Sequence, residues 1–237
     1  MRNFKGISAQ DFFLLAENRF MNSRSFYEEK KELIKQRVIL PIRALTLDLN
    51  EFFLGIEEEL YTNPVHQVSR VRRDTRYSRD KSLYRENLWV SFSKYRKEFP
   101  FFPTFWLEIF QNGYDCGVGY FYTTPHLMEF YRREILENKN QFARIIKTFE
   151  AEGLLTYGDS YKKPKAGDIP ESLAPYYNRR SIGFYKHVEG LSDIESGAFV
   201  DKAIEIYKML APMYELLRSA SEKELTDRIN TGGINNA

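Results

Sequence analysis

Apolar residues recur at helical spacing near the N-terminus of the chain. Phe12 and Leu15 belong to one apolar stripe that follows Ser8, a residue whose hydroxyl can cap a helix. A second helix is predicted from residue 26 to about residue 38. A third is predicted from Pro41 to about residue 60, because proline suits the first turn of a helix. The N-terminal part of the chain is therefore predicted to be a group of three helices.

The pattern changes to alternation in the middle of the chain. In residues 88–93, apolar side chains occupy every second position, which is the period of a half-buried strand. Residues 105–110 and 116–122 are predicted to be further strands, separated by a turn at residues 112–113. Residues 68–78 contain Val, Thr and Tyr, which favour a strand as well. Four short strands in sequence predict a mainly antiparallel sheet.

Helices and strands are mixed beyond residue 122. Thr124 and Pro125 together predict a helix start, since the threonine can cap and the proline fits the first position. A helix at residues 141–152 and a strand at residues 181–188 follow. A long amphipathic helix is predicted from residue 196 to about residue 220.

The order of these elements predicts the fold class and the domain organisation. With no internal repeat and no shift in composition, we expect a single α+β domain over residues 1–222. Its mainly antiparallel, mixed sheet would be packed by the N-terminal helical group and by the long C-terminal helix. Residues 223–237 are predicted to be a frayed tail.

Composition narrows the class of protein. A hydrophobic content of 43% suffices for a real core, and a net charge of +2 is too small for a dedicated nucleic-acid-binding domain. A single cysteine, Cys116, excludes an intramolecular disulfide and favours a reducing compartment. No apolar run has the length of a membrane span or of a signal peptide. We therefore expect a soluble, cytoplasmic protein without a membrane partner.

Residues 68–87 hold the densest polar chemistry of the sequence, with seven basic side chains. If residues 68–78 form a strand, one face of that strand carries Arg70, Arg72, Asp74, Arg76 and Ser78. Guanidinium groups present planar forks of donors that suit carboxylate or phosphate. Three interpretations stay open: a site for an external anion, an internal ion-pair network, or an edge strand protected by charge.

A polar turn follows this predicted strand. Ser and Asp side chains in residues 78–82 can bond nearby amides, and free amides in a turn can form a nest for an anion. The candidate ligand-binding residues are therefore Arg70, Arg73, Arg76, Ser78, Lys81, Tyr84 and Arg85. The candidates for proton transfer, should the protein be an enzyme, are Asp74, Tyr84 and His126, the last because it lies in the first turn of a predicted helix.

The same stretch carries a resemblance to a known family. The run Arg70-x-x-Arg73-Asp74-x-Arg76-Tyr77-Ser78-x-Asp80-Lys81-Ser82-x-Tyr84-Arg85 resembles the motif of a microbial family named domain of unknown function 2461. Three positions depart from the family pattern: Tyr77 replaces Phe, Leu83 replaces Pro and Arg85 replaces Lys. The resemblance extends over most of residues 8–220, and it implies a shared fold and site without implying any reaction.

The sequence indicates neither a metal nor a cofactor. Its three histidines and one cysteine have no zinc-site spacing, and its glycines at 113, 117 and 119 do not form a dinucleotide fingerprint. A second basic cluster lies at residues 161–165. Two functions therefore remain beside the structural network: an enzyme acting on a small phosphorylated or carboxylated compound, and a non-catalytic module for a nucleotide, nucleic acid or anionic protein segment. The oligomeric state is not indicated.

Overall fold

A five-stranded antiparallel sheet with helices around it confirms the predicted α+β class. The computed structural model describes residues 2–60, 63–94, 100–165 and 167–232. The strands are β1 (Leu88–Ser93), β2 (Thr104–Ile109), β3 (Gly113–Gly119), β4 (Leu155–Tyr157) and β5 (Gly183–Glu189). Their order in the sheet is β1-β2-β3-β5-β4.

The helices follow the apolar periodicity and the capping residues of the sequence. They are α1 (Ala9–Met21), α2 (Arg24–Ile34), α3 (Leu40–Leu54), α4 (Pro64–Gln67), α5 (Pro125–Glu137), α6 (Lys139–Ala151), α7 (Ala174–Tyr177) and α8 (Phe199–Asn230). Ser8 caps α1 by accepting a hydrogen bond from the Asp11 amide, and Thr124 caps α5 by accepting one from the Leu127 amide. Both predicted helix starts are confirmed.

A π-helical turn at Lys35–Ile39 separates α2 from α3. Pro41 has no amide hydrogen to donate to the carbonyl four residues earlier, so the regular bonding pattern is interrupted next to it. The third helix is shorter than predicted. It ends at Leu54, and a separate 3₁₀ turn follows at Glu58–Leu60.

The chain divides into two compact units. Unit 1 comprises the described parts of Met1–Phe92, Trp106–Cys116 and His187–Ile206. In its core, the ring of Phe53 on α3 lies 4.1 Å from the ring of Phe92 on β1. The prediction of a single domain over residues 1–222 stays a prediction.

Unit 2 comprises the described parts of Ser93–Phe105, Gly117–Lys186 and Tyr207–Ala237. Phe105 stacks on Tyr214 of α8 with ring centroids 4.7 Å apart, and Phe149 of α6 packs on Phe184 of β5 at 5.2 Å. Glycine is required at position 119, because a Cβ there would come within 2.5 Å of the Gly183 backbone. The glycine-rich segment therefore serves close packing of β3 against β5.

Helix α8 continues past the predicted boundary of the tail at residue 223. Its next turn carries Glu224, which is fully buried and accepts a hydrogen bond from Arg228 at 2.5 Å, and the helix ends only at Asn230. Burial of the Glu224 side chain and its bond to Arg228 stabilise the last turns of α8. Residues 233–237 of the predicted tail lie outside the described residues.

Candidate functional site

The prediction of a regular strand at residues 68–78 is wrong. Isolated antiparallel bridges join Val68 to Val90 and Arg72 to Tyr84. Between these bridges one side advances by four residues and the other by six, so the two sides fall out of register. The segment then bends at residues 76–77, which ends the alternation of faces that a strand would give.

Residues from both predicted faces line one open cleft in unit 1, which we call the arginine cleft. Its volume is about 530 Å³, and it is lined by Arg70, Arg72, Arg73, Asp74, Thr75, Arg76 and Arg85. Five guanidinium groups and a single carboxylate make the lining strongly positive. Arginines from both predicted faces thus line one cleft, in a segment that bends; that they bind a ligand stays a prediction.

Two of the five guanidinium groups are occupied by carboxylates of the same segment. Arg76 Nη2 donates to Asp74 Oδ2 at 2.6 Å, and Arg76 Nε donates to Asp74 Oδ1 at 3.0 Å. These bonds lower the pKa of Asp74 to about 2. Arg73 pairs with Asp80 and donates to Ser78 Oγ at 3.2 Å. An internal ion-pair network thus exists in this turn, but it covers only part of the cleft.

The other three guanidinium groups have no carboxylate at ion-pair distance within the described ranges. Arg70 and Arg72 are exposed, and their side chains make neither a hydrogen bond nor an ion pair there. Arg85 Nε donates to the backbone oxygen of Arg70 at 3.1 Å, and its guanidinium lies 4.0 Å from the centre of the Trp89 ring. Burial, together with the nearby charge of Arg73, lowers the pKa of Arg85.

The remaining predicted ligand residues lie outside the lining of the cleft. Lys81 Nζ donates to the backbone oxygen of Thr75 at 2.9 Å, and the Ser78 hydroxyl is used by Arg73. Tyr84 is 2% exposed, and its ring stacks on Tyr27 with centroids 4.9 Å apart. Lys81 and Ser78 thus hold the turn together, and Tyr84 contributes to the core.

The candidate His126 belongs to unit 2, whereas the arginine cleft belongs to unit 1. Its Nε2 lies 3.0 Å from Asp227 Oδ2, which joins the first turn of α5 to the last part of α8. Both side chains are nearly half exposed. His126 and the arginines therefore belong to different units.

Three titratable residues that sequence reasoning missed lie side by side on the sheet in unit 1. Phe110 N donates to Gly113 O at 2.8 Å, which closes a two-residue turn and places Glu108 of β2 opposite Asp115 of β3. His187 of β5 places its Nδ1 2.6 Å from Asp115 Oδ1. We call Glu108, Asp115 and His187 the polar row.

The polar row has unusual electrostatics. Burial raises the pKa of Glu108, and the charge of Asp115 raises it further, whereas Asn87 and Arg85 oppose that shift. Burial also raises the pKa of Asp115, against the effect of its bond to His187. Perturbed carboxyl groups beside a histidine are characteristic of functional sites. The signal in the sequence was a charged residue inside each of two largely apolar strands, but their pairing depends on the sheet.

A second cavity, of about 870 Å³, lies in unit 2 and includes the predicted second basic cluster. It is lined by residues 123–125, residues 159–165 and Arg180. Arg132 is 6% exposed, and its guanidinium lies 5.5 Å from the centre of the ring of Tyr161, a residue that lines this cavity. Its Nη1 has no hydrogen-bond partner among the described residues.

The described residues contain neither a candidate metal site nor a helix that could span a membrane. No three His, Cys, Asp or Glu side chains there are grouped in a way that could hold a metal ion. None of the helices described combines the length and apolar character needed to cross a bilayer.

Residues 10–216 match the sequence model of a family described as "Conserved hypothetical protein (DUF2461)". The chain belongs to this family. The resemblance inferred from the arginine motif is therefore confirmed over most of the chain. No match was found among curated proteins. The family description names neither a ligand nor a reaction.

Proposed function

We propose that unit 1 binds a small anionic ligand, bearing a phosphate or carboxylate group, in the arginine cleft. One observation supports this above all: Arg70, Arg72 and Arg85 line the cleft, and none has a carboxylate at ion-pair distance within the described ranges. Clustered cations repel one another, and a bound anion would relieve that repulsion. Arg73 and Arg76 shape the lining, since their charges are already paired.

The dimensions of the cleft favour a small ligand. A volume of about 530 Å³ is in the range of small-molecule sites. Planar guanidinium groups bind carboxylate and phosphate through two parallel hydrogen bonds, which gives orientation as well as affinity. Arg70 and Arg72 are the two side chains we expect to make such bonds, and Arg85 is held in place by Trp89.

A binding module for nucleic acid or a nucleotide is the second candidate. The open, basic character of the cleft favours it. Against it stand the small net charge of the chain and the described lining of the cleft, which contains no aromatic residue. The single cysteine, Cys116, is buried and is compatible with the cytoplasmic location that we propose.

Calorimetric titration with inorganic phosphate, sulfate and citrate tests the proposal. We expect Arg72→Ala to weaken binding of the preferred anion by about tenfold to a hundredfold, because a hydrogen bond to a charged group contributes about 1.5–3 kcal/mol. Arg79→Ala is the matched control. Arg79 is an exposed arginine of the same segment that does not line the cleft, so its loss should change affinity by less than about twofold.

Two results would count against a small-ligand site. One is equal loss of affinity in Arg72→Ala and Arg79→Ala, which would mean diffuse attraction to a basic surface. The other is binding of a short oligonucleotide that falls steeply with salt while the three small anions do not bind, which would favour the nucleic-acid candidate.

A further inference from the structure

The cavity of about 870 Å³ in unit 2 has a mainly basic lining, and we call it the lysine cavity. Its basic residues are Lys162, Lys163, Lys165 and Arg180, and Asp159 is the one carboxylate in its described lining. Four positive charges against one negative charge leave an excess of three. None of these five side chains forms an ion pair with another described residue. The excess charge therefore has no counterpart within the described part of the chain.

The loop that carries the lysines is fixed by hydrogen bonds to the segment that precedes β5. Tyr161 N donates to Asn178 O at 2.9 Å, and Lys165 N donates to Asn178 Oδ1 at 2.7 Å. One asparagine thus holds both ends of the lysine-bearing segment. Arg180 N donates to Asp159 O at 2.6 Å, which keeps the fourth cation beside the same loop. Because the backbone is already ordered, a ligand would bind with a smaller loss of entropy.

A buried arginine adds positive charge next to the cavity. Arg132 of α5 is 6% exposed, and no described carboxylate lies at ion-pair distance from it. Its guanidinium lies 5.5 Å from the centre of the Tyr161 ring, and Lys165 Nζ lies 4.5 Å from the centre of the same ring. The buried Nη1 of Arg132 has no hydrogen-bond partner among the described residues. An unpaired buried cation is costly, and a counterion in the adjoining cavity would lower that cost.

The N-terminal end of α5 contributes to the same potential. Residues 123–125 line the cavity, and Thr124 is the cap of this helix of 13 residues. A helix N-terminus carries about half an elementary positive charge. This partial charge is small beside those of the side chains, so it supports the site without defining it.

The kind and the number of the charges indicate which anion would suit the cavity. A lysine ammonium is a point charge that binds phosphate well, whereas the fork of an arginine matches a carboxylate as well as a phosphate. A single phosphate group bound to a larger molecule carries about −1.5 to −2 charges at neutral pH. One such group would leave part of the excess of three positive charges uncompensated.

We propose that the lysine cavity is a second ligand site, for a compound that carries two or more phosphate groups. Lys162, Lys163 and Arg180 would contact the phosphate oxygens, and Arg132 would strengthen their attraction from its buried position. The site belongs to unit 2, so the proposal goes beyond the arginine cleft of unit 1 and does not depend on it.

Calorimetric titration with tripolyphosphate tests the proposal in the Arg72→Ala variant, in which binding to the arginine cleft is weakened. We expect one tripolyphosphate per chain, bound at least about tenfold more tightly than inorganic phosphate, because it can contact several cations at once. Adding Arg180→Ala should weaken this binding by about tenfold. Arg144→Ala is the matched control. Arg144 is an exposed arginine of α6 in unit 2 that does not line the cavity, so its loss should change affinity by less than about twofold.

Arg132→Met tests the contribution of the buried charge, since it removes the guanidinium and keeps a long, unbranched side chain. Affinity for tripolyphosphate should fall by about threefold to tenfold, because charges attract more strongly where water is partly excluded. If Arg132→Met does not fold, Lys162→Ala replaces it, with the exposed Lys147→Ala of α6 as its control.

Three results would contradict the proposal. Equal loss of affinity in Arg180→Ala and Arg144→Ala would mean diffuse attraction to a basic surface and overturns the site. Inorganic phosphate that binds as tightly as tripolyphosphate overturns the assignment to a compound with several phosphate groups. An unchanged affinity in a folded Arg132→Met overturns the part given to the buried arginine. Each result leaves the arginine cleft standing, because that site is tested separately through Arg72 and Arg79.

Discussion

The two units each contain a histidine–aspartate pair, and the surroundings of the two pairs differ. In unit 1, His187 lies 2.6 Å from Asp115, whose side chain is only 12% exposed. In unit 2, His126 lies 3.0 Å from Asp227, and both side chains are more than 40% exposed. The first pair lies on the sheet beside Glu108, and the second joins the ends of two helices.

This difference shows that the residue types of a pair do not indicate its chemistry unless the burial of the side chains is also known. Water screens the exposed pair, so the attraction between its two side chains contributes little to stability. Asp115 is largely buried and loses hydration, and its pKa is raised as a consequence. The sequence made His126 a candidate because it lies at a helix start, whereas the carboxyl group whose pKa burial raises is Asp115 of the other pair.

The largest expected effect separates the two aspartates. Asp115→Ala removes a carboxyl group that is only 12% exposed and bonds to His187, and should destabilise the protein by about 1–1.5 kcal/mol, the contribution of a hydrogen bond. Asp227→Ala removes an exposed partner and should change stability by less than about 0.5 kcal/mol. Urea denaturation of both variants at neutral pH measures the difference. Equal losses would mean that burial does not distinguish the two pairs.

A smaller effect should appear at Glu108, with a sign set by pH. Its pKa in the folded state is raised above the ordinary 4.5, so folding retains a proton that the unfolded chain releases first. Wild-type stability therefore falls as pH rises from about 4.5 through the folded pKa. Glu108→Gln has no carboxyl group at this position and so does not lose stability in this way. Its free energy of unfolding at neutral pH should exceed that of the wild type by less than about 1 kcal/mol, because solvent partly screens the Glu108 side chain.

Thermal denaturation across this pH range checks the sign. The advantage of Glu108→Gln should shrink towards pH 4.5 and grow towards neutrality. Asp227→Asn, the corresponding change at the exposed pair of unit 2, should show no comparable trend. An advantage of Glu108→Gln that grows on acidification would contradict the assignment of a raised pKa.

The smallest effect should come from the ion pairs of the turn beside the cleft. Arg73 bonds to Asp80, whereas Asp74 bonds to Arg76. A double-mutant cycle between Arg73 and Asp80 should therefore give a small but measurable coupling in stability. The cycle between Arg73 and Asp74 should give none, because the structure records no contact between these side chains. Coupling in the second cycle alone would mean that the partners in the turn are wrongly assigned.

Local signals predicted most of the regular elements. The strand at residues 88–93 matches β1, since alternation of apolar residues reports directly on a half-buried strand. Ser8 and Thr124 mark helix starts because the capping hydroxyl and the amide that it accepts from are only three residues apart. Residues 68–78 failed as a strand because the register of their pairing depends on residues 84–90, which propensity does not report.

The candidate site was predicted only in part. The arginine motif identified the segment and the family, and Arg70, Arg73, Arg76 and Arg85 do line one cleft. The sequence does not show which of these arginines are paired, because Arg73 forms its ion pair with Asp80 across a turn. The polar row was missed altogether, because its members come from three strands spread over residues 108–187.

By itself the sequence determined the caps, the periodicities and the concentration of positive charge in one segment, all of which depend on interactions between near neighbours. Only the tertiary structure decided which charges are left unpaired and which carboxylates lie opposite each other. The physical reason is that pairing and burial depend on distances in space, and a sheet can bring residues that are far apart in the sequence into contact, as it does for Asp115 and His187, 72 positions apart.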